Sequence, residues 1–356
     1  ALLDDEGKEK LRKLTEEAGM LSLQFSQNLL KENKAYTLHI TDEAQLEGLP
    51  DTAREAAAMA AKEKGVDGWI FTLDYPSYSP FMTYATNREL RKKIMDASLT
   101  RGSRGGEFDN RDIVARVAKL RAERAAMLGY DTHAAYVLED ETAKTPQAVN
   151  YMLGKLAPAA VANAKREAAD LQAMIDKEQK AAGAASFQLA PWDWAYYSEK
   201  VRADKYSFDE SQLKPYFEMK RVLEDGVFFA ATKLYGITFK PRTDLPKYHP
   251  DTWIYDVYDK DGSLLSIFIW DPYARSSKRG GAWMNTYVAQ SALTGDKPVV
   301  ANHLNIPKPS AGKPTLMTWD EVTTTFHEFG HALHGFFQDV RYPYYSMNVP
   351  RDFVEY

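Results

Sequence analysis

The chain carries two different hydrophobic rhythms, and they divide it. In VNYMLGKLAPAAVANAKREAADLQAMIDKEQKAAG, residues 149–183, apolar positions recur three and four apart with charges between them. That spacing places them on one helical face. RAERAAMLGY at 121–130 has the same rhythm, and Pro146 and the 183–186 stretch punctuate the helices. After residue 240 the rhythm shortens. TWIYDVYDKDGSLLSIFIWDPYA alternates aromatic and polar residues around Asp259-Lys260-Asp261-Gly262, which predicts a hairpin. GGAWMNTYVAQ and KPVVANHLNI add two further strands, so a sheet of about four strands is expected just before residue 318. The pattern predicts a mainly α protein with one small β-sheet.

Composition narrows the classes. With 356 residues and 44% hydrophobic content, the chain can fill one large core or two ordinary ones. The net charge of −5 and the dispersed lysines and arginines argue against nucleic-acid binding. No apolar run approaches the roughly 20 residues of a membrane span. The absence of cysteine removes disulfides, thiolate ligands and thiol nucleophiles, and suits the cytoplasm and the periplasm equally. The opening ALLDDEGKEKLRKLTEEAG has no signal-peptide pattern and reads as a helix already under way. The Gly-rich RGSRGGEFDN, 101–110, reads as a flexible tip and lacks phosphate-loop spacing. There is no GxSxG for serine chemistry.

The densest chemistry lies in TTTFHEFGHALHG, 323–335. Thr318-Trp319-Asp320-Glu321 fits a capping box, so a helix starts here. Val322, Phe326, Phe329, Leu333, Phe336 and Phe337 form its apolar stripe. His327 and His331, four apart, project from another face about 40° from one another. His327-Glu328-Phe329-Gly330-His331 is an HExxH pattern. Its two imidazoles can span one zinc ion, and Glu328 can act as base toward water. By composition a chance match is expected in roughly one such chain in a hundred. A third ligand is needed, and there are three candidates. His334 lies too far along the same helix to surround an ion well and reads as a bystander. His303 reads as a sheet-edge residue. Glu355 follows Pro350, a residue suited to the first turn of a new helix, and is the best of the three.

FHEFGHALHG followed by PRDFVEY resembles the thimet oligopeptidase, neurolysin and bacterial dipeptidyl carboxypeptidase family of zinc peptidases. YPSYSPFMTYATNRELR, DNRDIVARVAKLRAERAAMLGY, PWDWAYYSEKVRADKYSFDESQLKPYFEM and WDPYARSSKRGGAWM resemble further segments of that family. The resemblance implies a gluzincin with one Zn²⁺ held by His327, His331 and Glu355, and Glu328 as catalytic base. It implies a zincin-like, mainly helical fold in two halves around a deep channel that admits short peptides. Residues 1–240 would form a helical channel wall, and residues 241–356 the sheet and HExxH helix that open the catalytic core. DEVTTTFHEFGHALHG and PRDFVEY are most similar to the bacterial peptidyl-dipeptidases, which implies release of C-terminal dipeptides. Endo-cleavage of short peptides and a non-catalytic peptide-binding fragment are the other readings.

Two departures accompany the resemblance. YYSMNVPRDF is one residue shorter than the family's loop before its DFVE helix. Family members are also nearly twice as long, and the tyrosine and histidine that stabilise their oxyanion and bind substrate follow the third ligand. The chain therefore reads as the middle part of a longer protein, monomeric or associated with its C-terminal portion. Gly281, Ala282 and Trp283, at the start of a candidate edge strand, are expected to bind substrate by strand addition. PWDWAYYSEK reads as a packing cluster.

Overall fold

Asp4 accepts a hydrogen bond from the Gly7 N–H at 2.8 Å and caps helix α1, Asp5–Ala35. The opening segment is therefore capped at Asp4, not a helix already under way. The computed structural model describes residues 3–206 and 212–355. Of the family-like segment at 191–219, residues 207–211 lie outside the described residues. The chain divides into two compact units, Ala1–Ser207 with Pro350–Tyr356, and Phe208–Val349. Among the described residues no helix is long and apolar enough to cross a membrane.

The first unit is helical. After α1 come α2 (Asp51–Glu63), α3 (Tyr75–Tyr84), α4 (Arg88–Leu99), α5 (Arg111–Met127), α6 (His133–Leu138), α7 (Pro146–Ala181) and α8 (Trp194–Tyr206). Helix α7 begins where expected: Thr145 caps it by accepting from Ala148 N–H, and Pro146 stands in its first turn. A two-stranded antiparallel sheet, β1 (Leu38–Ile40) with β2 (Trp69–Phe71), adds to the predicted architecture. Each strand is three residues long, too short for a period-2 signal. The 101–110 loop is fastened at both ends. Gly102 N–H donates to Glu32, Asn110 N–H donates to the Gly102 carbonyl at 2.7 Å, and the Asn28 amide meets Asn110 at 2.9 Å. The PWDWAYYSEK segment packs as expected, with Tyr196 and Tyr197 buried.

One ion cluster locks α4 to the segment before α8. Asp193 is fully buried and accepts from Arg88 (2.8 Å) and from Arg91 (3.0 Å), itself only 1% exposed. Arg91 also donates to the Ala85 carbonyl at 2.7 Å and to the Trp192 carbonyl at 3.0 Å.

The second unit is built on a five-stranded sheet in the order β3-β4-β5-β7-β6. Its strands are β3 (Thr238–Arg242), β4 (Trp253–Tyr258), β5 (Leu264–Tyr273), β6 (Trp283–Val288) and β7 (Val299–Ile306). The predicted hairpin is β4–β5, closed by a turn in which Gly262 has φ +82°. All pairs are antiparallel except β5 with β7, so β6 is carried to an edge. One face buries Tyr255, Val257, Phe268, Trp270, Val300 and Leu304. A helical stretch packs on it, made of α9 (Met219–Arg221), a π turn (Val222–Phe228) and α10 (Phe229–Tyr235). Phe228 of that stretch stacks on Phe239 of β3 at 3.9 Å. Helix α11, Trp319–Phe336, completes the layer, and α12, Arg351–Val354, belongs to the first unit.

Replacing Asp193 with Ala is expected to destabilise the first unit by ~3–5 kcal/mol, because Arg91 would be left buried without a counter-charge. A urea midpoint that does not move would contradict this.

Candidate metal centre and its support

Helix α11 starts at the capping box read from the sequence. Thr318 accepts from Glu321 N–H at 3.2 Å, and the Glu321 carboxylate accepts from Thr318 N–H at 2.7 Å. Val322, Phe329 and Phe336 are buried against the sheet, and the Phe329 and Phe336 rings meet Phe268 edge-on at 5.5 and 5.6 Å. Burial of each phenylalanine contributes roughly 1.5–3 kcal/mol. The apolar stripe is narrower than expected. Phe326 and Phe337, at its margins, are 43% and 40% exposed.

Two further contacts set the height of α11 over the sheet. A Cβ at Gly335 would come within 2.8 Å of a Val300 methyl and 3.1 Å of the Met284 methyl, so only glycine permits this approach. Asn302, fully buried on β7, donates its side-chain N–H to the Glu328 backbone carbonyl at 2.7 Å. The turn that carries HExxH is thus tied to the sheet at its central glutamate.

His327 and His331 project from the opposite side of the helix. Their Nε2 atoms lie 3.1 Å apart and the rings stand at 89°. Two nitrogens bound to one tetrahedral zinc ion at ~2.0–2.1 Å would be about 3.3 Å apart. The imidazole pair therefore fits a shared ion with almost no rearrangement. Glu328, between them in sequence, is buried at 6% exposure, whereas His327 is exposed and His331 half-buried.

The other candidates divide clearly. His334 is exposed in the last turn of α11, where its ring suits the helix C-terminus. His303 is not at a sheet edge, because β7 lies between β5 and β6. It is buried, with Nδ1 3.1 Å from Asp271, Nε2 2.7 Å from the Asn285 side-chain amide, and Trp283 stacked on it at 4.6 Å. Both its nitrogens are engaged, which removes it as a ligand. Glu355 is exposed at the C-cap of α12, whose N-cap is Pro350. That short helix is anchored within its own unit: Glu141 accepts from Arg351 and Asp352 N–H, and Asp352 accepts from Thr142 and Ala143 N–H. Hydrogen bonds from Thr142 hold the Asp352 carboxyl down at about 2. Gly281, at φ +86°, and Ala282 lead into edge strand β6, which begins at Trp283.

One cluster escaped the sequence reading. Asp271, fully buried on β5, accepts from both Arg275 nitrogens at 2.7 and 2.8 Å and from the Tyr248 hydroxyl at 2.9 Å. Lys278 stands 3.1 Å away. Burial alone would raise the Asp271 carboxyl, but His303, Arg275 and Lys278 outweigh it and hold it well below the usual carboxylate range. Burial likewise pushes the Lys278 amine down to about 8 against the pull of Asp271. The one signal available in the sequence was an aspartate at an alternating strand position in IFIWDPY.

The profile of peptidase family M3 matches residues 81–356, a span that holds His327, Glu328, His331, Glu355 and the 281–283 segment. The chain belongs to peptidase family M3. Among M3 relatives, the dipeptidyl carboxypeptidase of Escherichia coli (strain K12) is 44% identical, over all of this chain and 52% of that protein. Oligopeptidase A of the same organism is 38% identical over 98% of this chain and 53% of its own length. The organellar oligopeptidase A of Arabidopsis thaliana is 40% identical over 93% of this chain and 43% of its own. This M3 chain spans about half the length of the curated relatives it matches.

Asp271→Asn is expected to lower stability by ~3–5 kcal/mol at pH 7, since Arg275 and Lys278 would lose their counter-charge. The folded carboxyl titrates below its unfolded value, so its contribution is fully present above pH ~4 and lost as pH falls through the folded value. The deficit of the variant, read from denaturant unfolding, should shrink toward pH 3. A deficit that grows on acidification would contradict the assignment.

Proposed function

We propose that this chain carries the metal site and catalytic base of a zinc peptidase that hydrolyses short peptides, releasing C-terminal dipeptides. The observation that carries this reading is the 3.1 Å convergence of the His327 and His331 Nε2 atoms beside Glu328, in a chain of peptidase family M3. His327, His331 and Glu355 would hold the ion. A zinc ion held there supplies Lewis acidity, acidifying water and polarising a carbonyl oxygen. Glu328 takes the proton from the attacking water and passes it to the departing amine nitrogen, so one carboxylate serves first as base and then as acid. The peptide backbone would lie along edge strand β6 from Gly281, Ala282 and Trp283, adding a strand to the sheet. The wider frame is a zincin-like channel between two halves, with residues 1–240 as helical wall and 241–356 opening the catalytic core.

The 44% identity to a dipeptidyl carboxypeptidase favours removal of C-terminal dipeptides. The 38% identity to oligopeptidase A supports endo-cleavage of short peptides as the second reading. In the intact protein, Glu328→Gln should lower kcat by about 10²–10⁴-fold with zinc content unchanged, and a zinc chelator should abolish turnover. Full activity in the variant would sink the assignment. Amidating the substrate's C-terminal carboxylate separates the readings: loss of cleavage supports dipeptide release, and retained cleavage supports the endopeptidase.

A further inference from the structure

We infer that Asn305 is a positioning residue for substrate, holding the turn before β6 in the shape that receives a peptide. The inference rests on the reading of β6 as the substrate-binding edge. Glycine surrenders more backbone freedom on ordering than any other residue, so a Gly280-Gly281 turn needs an external hold. Packing does not supply it: among the described residues no atom lies within 4 Å of where a Cβ would stand at either glycine. Asn305 supplies it. Its side-chain N–H₂ donates to the Arg279 carbonyl at 2.9 Å and to the Gly281 carbonyl at 2.5 Å, the two acceptors flanking Gly280. Only the amide nitrogen can satisfy two carbonyls, so chemistry fixes the orientation of the amide.

Asn305 lies two residues beyond His303 on β7 and so shares its face of the sheet. On that face a polar relay crosses three strands, from Asp271 on β5 through His303 on β7 to Asn285 on β6. Trp283, the first residue of β6, stacks on His303, and the Arg279 guanidinium stands 4.8 Å from its ring centre. The connection back to β5 is closed by Lys278, whose ammonium donates to the Asp271 and Tyr273 carbonyls at 2.7 and 3.1 Å. Lys278, Arg279, Gly281 and Trp283 are therefore each held by a group of β5 or β7 before any ligand arrives. Such pre-ordering strengthens binding by removing the entropy that a loose edge would lose.

The test uses the intact protein. Asn305→Ala is expected to raise KM for a short peptide about five- to tenfold, the loss of one to two hydrogen bonds, with kcat little changed. Asn305→Ser, which keeps one donor, should fall between and remains informative if the alanine variant folds poorly. Hydrogen exchange of residues 279–288 is followed in the metal-free protein with and without that peptide. Faster exchange in the free variants, slowed by peptide in the parent, supports the inference. Protection of 281–288 in the parent with KM unchanged in both variants, or a fall in kcat alone, overturns it and leaves the edge-strand reading standing. No protection in the parent overturns that reading itself.

Discussion

The arrangement of the second unit depends on how closely one helix can sit on one sheet. Helix α11 reaches β7 and β6 through a glycine that has room for nothing larger, and Phe329 and Phe336 pack against each other and edge-on against Phe268. The Asn302 side chain adds direction to that packing, because a hydrogen bond to the Glu328 carbonyl fixes the rotation of the helix as well as its height. Hydrophobic burial alone is indifferent to small rotations. A polar contact in a buried place is not, since leaving it unmade costs the desolvation of both groups. The imidazoles converge through their four-residue spacing on one helix, and the Asn302 bond fixes the direction in which that helix presents them.

The two faces of the sheet divide the labour. Residues 268, 270, 300 and 302 look toward α11, whereas 271, 285 and 303 carry charge and hydrogen bonds on the reverse. A one-residue slip of β7 would exchange these sets, burying Asp271's partner under α11 and turning Val300 toward the polar cluster. The network on the reverse face therefore specifies register as well as supporting the edge. Its one carboxylate is paired with a guanidinium and an ammonium, which is the condition under which a carboxylate tolerates burial.

Long, strongly periodic elements were legible in the sequence. The capping box at Thr318, the start of α7 at Thr145-Pro146 and the β4–β5 hairpin all stand where residue chemistry puts them. Strand β3 was not, because TFKPR contains a proline and lies at an edge where no alternation is required. The HExxH helix was legible because its spacing is its chemistry. The width of its apolar stripe was not: a helical wheel shows which residues share a face, but not how far the partner surface extends to cover Phe326 and Phe337. His303 was misread for a similar reason, since whether a strand is interior or at an edge depends on pairing with distant residues. Asn305 and Asp271 left no local pattern, because their meaning lies in partners across strands.

Strand order has a consequence for how this unit comes into being. β6 precedes β7 in the chain, yet β7 is its pairing partner, and the place beside β5 that sequence order would give β6 belongs to β7. During synthesis, WMNTYV therefore has no pairing partner until residues 299–306 have emerged. For that interval an aromatic segment of high strand propensity is present without a partner, the condition under which nascent chains associate wrongly. The strand that stands open at the edge of the finished sheet is also the one whose partner in the sheet is made after it.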